Sequence, residues 1–108
     1  LKDKSFAFAV RTYKLYKYLV DTKKEFVLSK QLLRSGTSIG ANVREAYNAA
    51  SKNDFIHKMK IAAKEADETR YWLEIIQEIP SYPQNTELVD LLKPIELIIT
   101  KIISSSKK

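Results

Sequence analysis

The chain has a single histidine, His57, and no cysteine. Its chemistry is therefore narrow from the outset. Glu65 and Glu68 are the carboxylates whose spacing stands out. They share one helical ridge with bulky apolar groups, in the line Ile61, Glu65, Glu68, Trp72, Ile75, Ile79. Carboxylates on facing helices can hold a di-metal centre, but that arrangement needs Glu-x-x-His on two helices. Here Asp54 stands three residues before His57 where the motif wants Glu, no second copy exists, and His57 lies off the Glu65/Glu68 line. No Ser-His-Asp or Cys-His set can be assembled either, because most serines lie near the glycines or the C-terminus, far in sequence from a base. The residue types argue against an enzyme: no catalytic residue, metal site or cofactor is expected.

Carboxylates on a partly apolar ridge need cationic partners if they are buried. The line Lys30, Arg34, Thr37, Ala41, Arg44 offers them at matching helical spacing. Arg34 or a neighbour is expected to pair with Glu65 or Glu68, within one subunit or across an interface. The alternative is that all these side chains are solvated, with any pair worth under ~1 kcal/mol.

The remaining chemistry is electrostatic. Among 108 residues, 19 are basic and 13 acidic, a net charge of +6. Residues 1–34 hold nine basic side chains against three acidic ones, and the rest of the chain holds ten of each. The whole excess belongs to the first third. Lys14, Lys17, Lys23, Lys24, Lys30 and Arg34 are therefore the candidates for contacting the phosphates of RNA or DNA. Tyrosines interleave with them in Tyr13-Lys-Leu-Tyr-Lys-Tyr18, and aromatic rings can stack on exposed bases. The plainer reading of these lysines is a solvated face that aids solubility, and Tyr13 is better placed for the core. No named DNA- or RNA-binding motif is present. With no apolar run near the ~20 residues of a membrane span and no basic-then-apolar leader, a cytoplasmic location without membrane contact is expected.

Helices must position all of this. The breaks are Pro80-Ser-Tyr-Pro83, the polar link Asp21 to Glu25 with weak turn chemistry, and Ser51-Lys-Asn-Asp54, a capping box. They predict four helices in one domain over 1–108, near 4–21, 26–49, 52–79 and 86–104. Pro94 should kink the last helix or mark its first turn, and Lys107-Lys108 should fray. The fold class is all-α, an antiparallel up-and-down four-helix bundle. The first helix carries two apolar lines on nearly opposite sides: Phe6, Val10, Tyr13, Val20 and Phe8, Leu15, Leu19. The second has Leu28, Leu32, Ser35, Ile39, Val43, Ala46, Ala50 beside a ridge of Leu33, Gly36, Gly40, Tyr47. The third has Phe55, Met59, Ala62, Ala66, Thr69, Leu73, Ile76, and the fourth a broad arc from Leu88 to Ile103 with Leu97 opposite. This is more apolar surface than one stripe per helix requires, so a homo-oligomer is expected. Gly36 and Gly40, the only glycines, each cost a helix about 1 kcal/mol. Four apart on one ridge, they offer a groove for close helix packing. A phosphate-cradling loop is the rival reading, but no Gly-Lys-Ser/Thr follows.

Ser29-Lys-Gln-Leu-Leu-Arg-Ser-Gly-Thr-Ser-Ile-Gly-Ala-Asn-Val-Arg-Glu-Ala46 and Asp54-Phe-Ile-His-Lys-Met-Lys-Ile-Ala-Ala-Lys-Glu-Ala-Asp-Glu-Thr-Arg-Tyr-Trp-Leu73 resemble the two signature blocks of the bacterial four helix bundle protein family. It is also called the ribosomal RNA intervening-sequence protein family, because some members are encoded in insertions within the large-subunit rRNA gene. The resemblance implies a homo-oligomeric ring, a pentamer, of unsettled role. The family is similar to the accessory protein of diversity-generating retroelements, a basic pentameric barrel that binds nucleic acid and a reverse transcriptase. On that resemblance the partners are the chain itself, RNA or DNA, and a reverse transcriptase in a retroelement setting. Gln31, Arg34, Ser38, Asn42 and Glu45 match the first block's signature, and Lys64, Glu65 and Glu68 the second's. With Gly36 and Gly40 they are read as fold and assembly residues. Many relatives have Asn-Ile-Ala-Glu-Gly where this chain has Asn42-Val-Arg-Glu-Ala46, so the helix is expected to continue through Ala46. The function expected is a non-enzymatic, nucleic-acid-associated or scaffolding protein, and the alternative is a protein–protein adaptor.

Overall fold

The computed structural model describes residues 1–106 and contains four helices: α1 (Lys2–Asp21), α2 (Leu28–Tyr47), α3 (Lys52–Gln77) and α4 (Thr86–Ser106). The expected fraying of Lys107 and Lys108 lies outside the described residues. Connections of six, four and eight residues leave no room for a crossover, so each helix runs back along the one before it. Contacts join α1 to α2, α2 to α3, α3 to α4, and α4 back to α1. The result is an antiparallel bundle of 47 × 20 × 20 Å, most of whose length is spanned by α3, 26 residues long and so about 39 Å.

The α2 and α3 periodicities are realised except at their ends, where Leu28 and Phe55 are half-buried and Ala50 is exposed beyond the end of α2. Leu32, Ser35, Ile39, Val43 and Ala46 of α2 are buried against Met59, Ala62, Ala66, Thr69, Leu73 and Ile76 of α3, with Leu88, Leu92, Ile95 and Ile99 from α4 completing the core. Helix α1 departs from expectation. Phe8, Thr12 and Leu19 point inward, whereas Phe6, Val10 and Tyr13 are exposed. Tyr13, expected in the core, lies instead on the surface beside Tyr16. The cause is on α2. A β-carbon on Gly36 would stand 2.7 Å from Thr12 Cγ2, and one on Gly40 would stand 3.3 Å from the Ser5 carbonyl oxygen. Only small side chains fit at such an approach, so the Ser5–Thr12 face of α1 meets α2 and the aromatic line is turned out.

The helix starts are capped differently from one another. Ser51 Oγ accepts the Asp54 N–H at 3.1 Å, as the capping box predicts. Helix α2 uses Glu25, in the link read as weak turn chemistry. Its buried carboxylate accepts N–H groups from Val27 at 2.7 Å, Leu28 at 3.0 Å and Ser29 at 3.2 Å, and Ser29 Oγ donates back to the Glu25 carbonyl at 2.7 Å. Three donors that a helix start would leave unpaired are thus satisfied by one side chain. The chain enters this cap through Lys24, whose φ of 54° is left-handed. Pro94 lies well inside α4 rather than in its first turn, where it removes one helical donor.

Candidate nucleic-acid interface

The basic candidates all sit on the hairpin formed by α1 and α2, close to its turn. Lys14 is seven residues before the end of α1 and Arg34 six after the start of α2, so each lies only ~10 Å of helix from the turn. Lys14, Lys17, Lys24, Lys30 and Arg34 are exposed and Lys23 is half-buried. Two of the six spend charge locally. Lys17 Nζ lies 3.4 Å from Asp21 Oδ2, and Arg34 is engaged across the α2–α3 seam. Lys14, Lys23, Lys24 and Lys30 form no ion pair among the described residues.

The pairing expected of Arg34 occurs within one chain. Its Nη1 lies 3.4 Å from Glu65 Oε2, its Nη2 is hydrogen-bonded to Glu68 Oε1, and its Nε donates to Gln31 Oε1 at 3.3 Å. Glu68 also accepts from Trp72 Nε1 at 3.3 Å. The other signature residues continue the same polar ladder along α2. Ser38 Oγ donates to the Arg34 carbonyl at 2.7 Å, Asn42 Nδ2 donates to the Ser38 carbonyl at 2.8 Å, and Glu45 Oε1 receives Lys58 Nζ at 3.1 Å. Of these, Arg34 and Glu45 reach across to α3, whereas Gln31, Ser38 and Asn42 bond within α2 itself. Lys64 points to solvent on α3.

A clasp that the spacing argument missed joins α3 to α4. Arg70 Nε donates to Glu96 Oε2 at 3.0 Å and Nη2 engages Glu96 Oε1, with both side chains mostly buried. The hydrogen bond that Arg70 donates to Glu96 holds it further into its charged form than usual, against the opposing effect of burial, and the fields of Glu96, Glu74 and Asp67 add to it. Arg70 lies off the ridges that periodicity brings forward, so only tertiary placement reveals it. Arg11 pairs with Glu87 across the α1–α4 seam.

At the end of the hairpin away from its turn, a groove of about 840 Å³ runs between α1 and α2 and reaches the start of α3. Its lining includes Phe6, Ala9, Gly40 and Ala41, with Lys2, Arg44 and the Lys58–Glu45 pair around them. Among the described residues, seven of the ten exposed large hydrophobic side chains belong to this hairpin: Phe6, Val10, Tyr13, Tyr18, Phe26, Val27 and Tyr47. Apolar exposure is thus concentrated on the same two helices as the basic excess. His57 is exposed on α3, and the described residues contain no helix long and apolar enough to cross a membrane.

The chain is similar over 94% of its length, and 96% of the other chain's, to the crystal structure of a protein of unknown function from the S23 ribosomal protein family of Bacteroides thetaiotaomicron VPI-5482, with 52% identity and a TM-score of 0.91. No curated protein matches it. Residues 1–104 match the model of the 23S rRNA-intervening sequence protein family. With the match running from the first turn of α1 almost to the end of α4, the chain belongs to the 23S rRNA-intervening sequence protein family.

Proposed function

We propose that this chain is a non-enzymatic, nucleic-acid-associated protein that self-associates into a small ring, a pentamer on the family resemblance, and meets RNA or DNA through phosphate contacts. The observation that carries this reading is the group Lys14, Lys23, Lys24 and Lys30. These cations lie near one hairpin turn, without acidic partners among the described residues. Lysines in this setting displace condensed counterions from a polyanion, which makes binding fall steeply with salt. Arg34 and Lys17 contribute less, because each already faces a carboxylate. A ring repeats the patch around its axis, and avidity raises the effect of a weak site. The groove and exposed apolar side chains of α1 and α2 supply surface for self-association.

Fluorescence anisotropy with a labelled RNA across a salt series tests the reading. Affinity is expected to drop steeply with salt, and replacing Lys23, Lys24 and Lys30 with Gln should flatten the log–log slope by about 0.7–0.9 for each phosphate that is no longer neutralised. Absence of binding at low salt would refute it. Light scattering that returned a monomer mass at every concentration would remove the ring. The exposed line Phe6, Val10, Tyr13 favours a second reading, a protein–protein adaptor without nucleic acid. Capture of a defined protein, such as a reverse transcriptase in a retroelement setting, that survives nuclease treatment would favour it.

A further inference from the structure

We infer that Phe26, at the tip of the α1–α2 hairpin, is a stacking platform for a base of single-stranded nucleic acid. The inference rests on the reading that the neighbouring lysines contact phosphates, and it adds which form of nucleic acid the tip selects. Phe26 is 57% exposed and Val27 73% exposed. A floppy loop would fold such groups back onto the bundle, but this tip is held. Glu25 is buried at 8% exposure and its carboxylate accepts the N–H groups of Val27, Leu28 and Ser29. Lys24 is left-handed at φ 54°, a conformation uncommon for a residue with a side chain. The two fixed points, Lys24 and Glu25, immediately precede Phe26 and hold the backbone that carries its exposed ring.

The surroundings select the ligand. Lys23 and Lys24 come just before the ring, and Lys30 follows it by one helical turn. An exposed aromatic ring among cations is the pairing that single strands use: phosphates meet the charges and an unstacked base covers the ring. In a duplex the bases are already stacked on one another, so the ring gains nothing there. A protein or lipid surface would use Phe26 only as apolar area, for which any aliphatic side chain of similar size would serve.

The experiment uses the full chain and measures anisotropy of a labelled oligouridylate and of a duplex RNA of similar length, at low salt and across a salt series. Wild type should prefer the single strand. Phe26→Ala should lose roughly tenfold in single-strand affinity, the lower part of the range seen for one stacked base, with duplex affinity and the salt slope unchanged. Phe26→Trp and Phe26→Tyr should retain affinity, while Phe26→Leu should lose as much as Phe26→Ala. Circular dichroism of each variant should match wild type, because the ring is not part of the core. If Phe26→Leu binds like wild type, or if Phe26→Ala weakens duplex and single strand equally, stacking is overturned. It is also overturned if Phe26→Ala abolishes binding to phosphatidylserine vesicles and leaves RNA binding intact. When the Lys23, Lys24, Lys30 variant flattens the salt slope but Phe26→Ala does nothing, the phosphate reading stands and the stacking inference falls. When no RNA binds at low salt, both fall.

Discussion

Along the α1–α2 seam the helices meet where side chains are nearly absent: Gly36 faces Thr12, and Gly40 faces the backbone of Ser5. Along the α3–α4 seam they are joined by two long charged side chains, Arg70 and Glu96. The first contact is steric and has little freedom. Thr12 is buried, is β-branched, and donates its hydroxyl to the Phe8 carbonyl at 2.8 Å, so it cannot swing away from an intruding methyl group. The second contact is adjustable, because the guanidinium and carboxylate reach across on flexible stems. Shape therefore sets how α1 sits on α2, while at the α3–α4 seam a flexible charged clasp is added to the apolar packing of Leu88, Leu92, Ile95 and Ile99. The α2–α3 seam combines both, with a packed apolar line beneath the Arg34–Glu65/Glu68 ladder.

That contrast can be broken most severely at Gly36. Gly36→Ala should gain about 1 kcal/mol of helix propensity but force α1 off α2 at about 3 kcal/mol, the upper end of the overpacking range, because Thr12 cannot yield, for a net loss of about 2 kcal/mol. Urea unfolding followed by circular dichroism measures it, and adding Thr12→Ala to Gly36→Ala should restore part of the loss. A Gly36→Ala variant as stable as wild type would mean that α1 shifts freely and the steric account is wrong.

The clasp should be the next most costly to break. Arg70→Ala leaves Glu96 mostly buried without its partner, and about 1–1.5 kcal/mol should be lost in the same assay. The sign of the pH dependence follows from the raised Arg70 pKa. Stability linked to this group is fully present below its unfolded value and is lost only as pH rises beyond it, so the contribution of Arg70 protonation should be flat through neutral pH. A loss confined to the neutral range would assign the effect to another group.

The smallest effect belongs to the exposed ladder. A double-mutant cycle on Arg34→Ala and Glu68→Ala should give a coupling below about 1 kcal/mol that shrinks with added salt, since Arg34 is 47% exposed. A coupling as large as the Gly36 effect would erase the distinction between steric and ionic seams.

Much of this architecture is legible in the residues themselves. Most of the α2 and α3 core lines and the placement of Arg34 opposite Glu65 and Glu68 follow from the helical period, and the Ser51 cap from its capping-box motif. The face of α1 is not legible, because Phe6–Val10–Tyr13 and Phe8–Leu15–Leu19 are equally good stripes. The choice is made by Gly36 and Gly40, some thirty residues away. Arg70–Glu96 is hidden for the same reason: its partners share no sequence pattern. Glu25 escaped notice because it caps α2 from three residues before the first helical residue. Glu25-Phe-Val-Leu-Ser29, an acid and a serine four apart at a helix start, is the signal that could have found it. Of the candidate phosphate contacts, charge counting alone could not separate Lys17 and Arg34, which face carboxylates, from Lys14, Lys23, Lys24 and Lys30.

The short connections have a kinetic consequence. Three of the four seams join helices adjacent in sequence across at most eight residues, so most native contacts close small loops early in folding. The α1–α4 seam alone must bring the two ends of the chain together. It closes the circuit of helices last, and the Arg11–Glu87 pair lies across it. The same seam is where the native bundle should open first in its sub-global fluctuations, separating α4 from α1 while the α1–α2 hairpin remains intact.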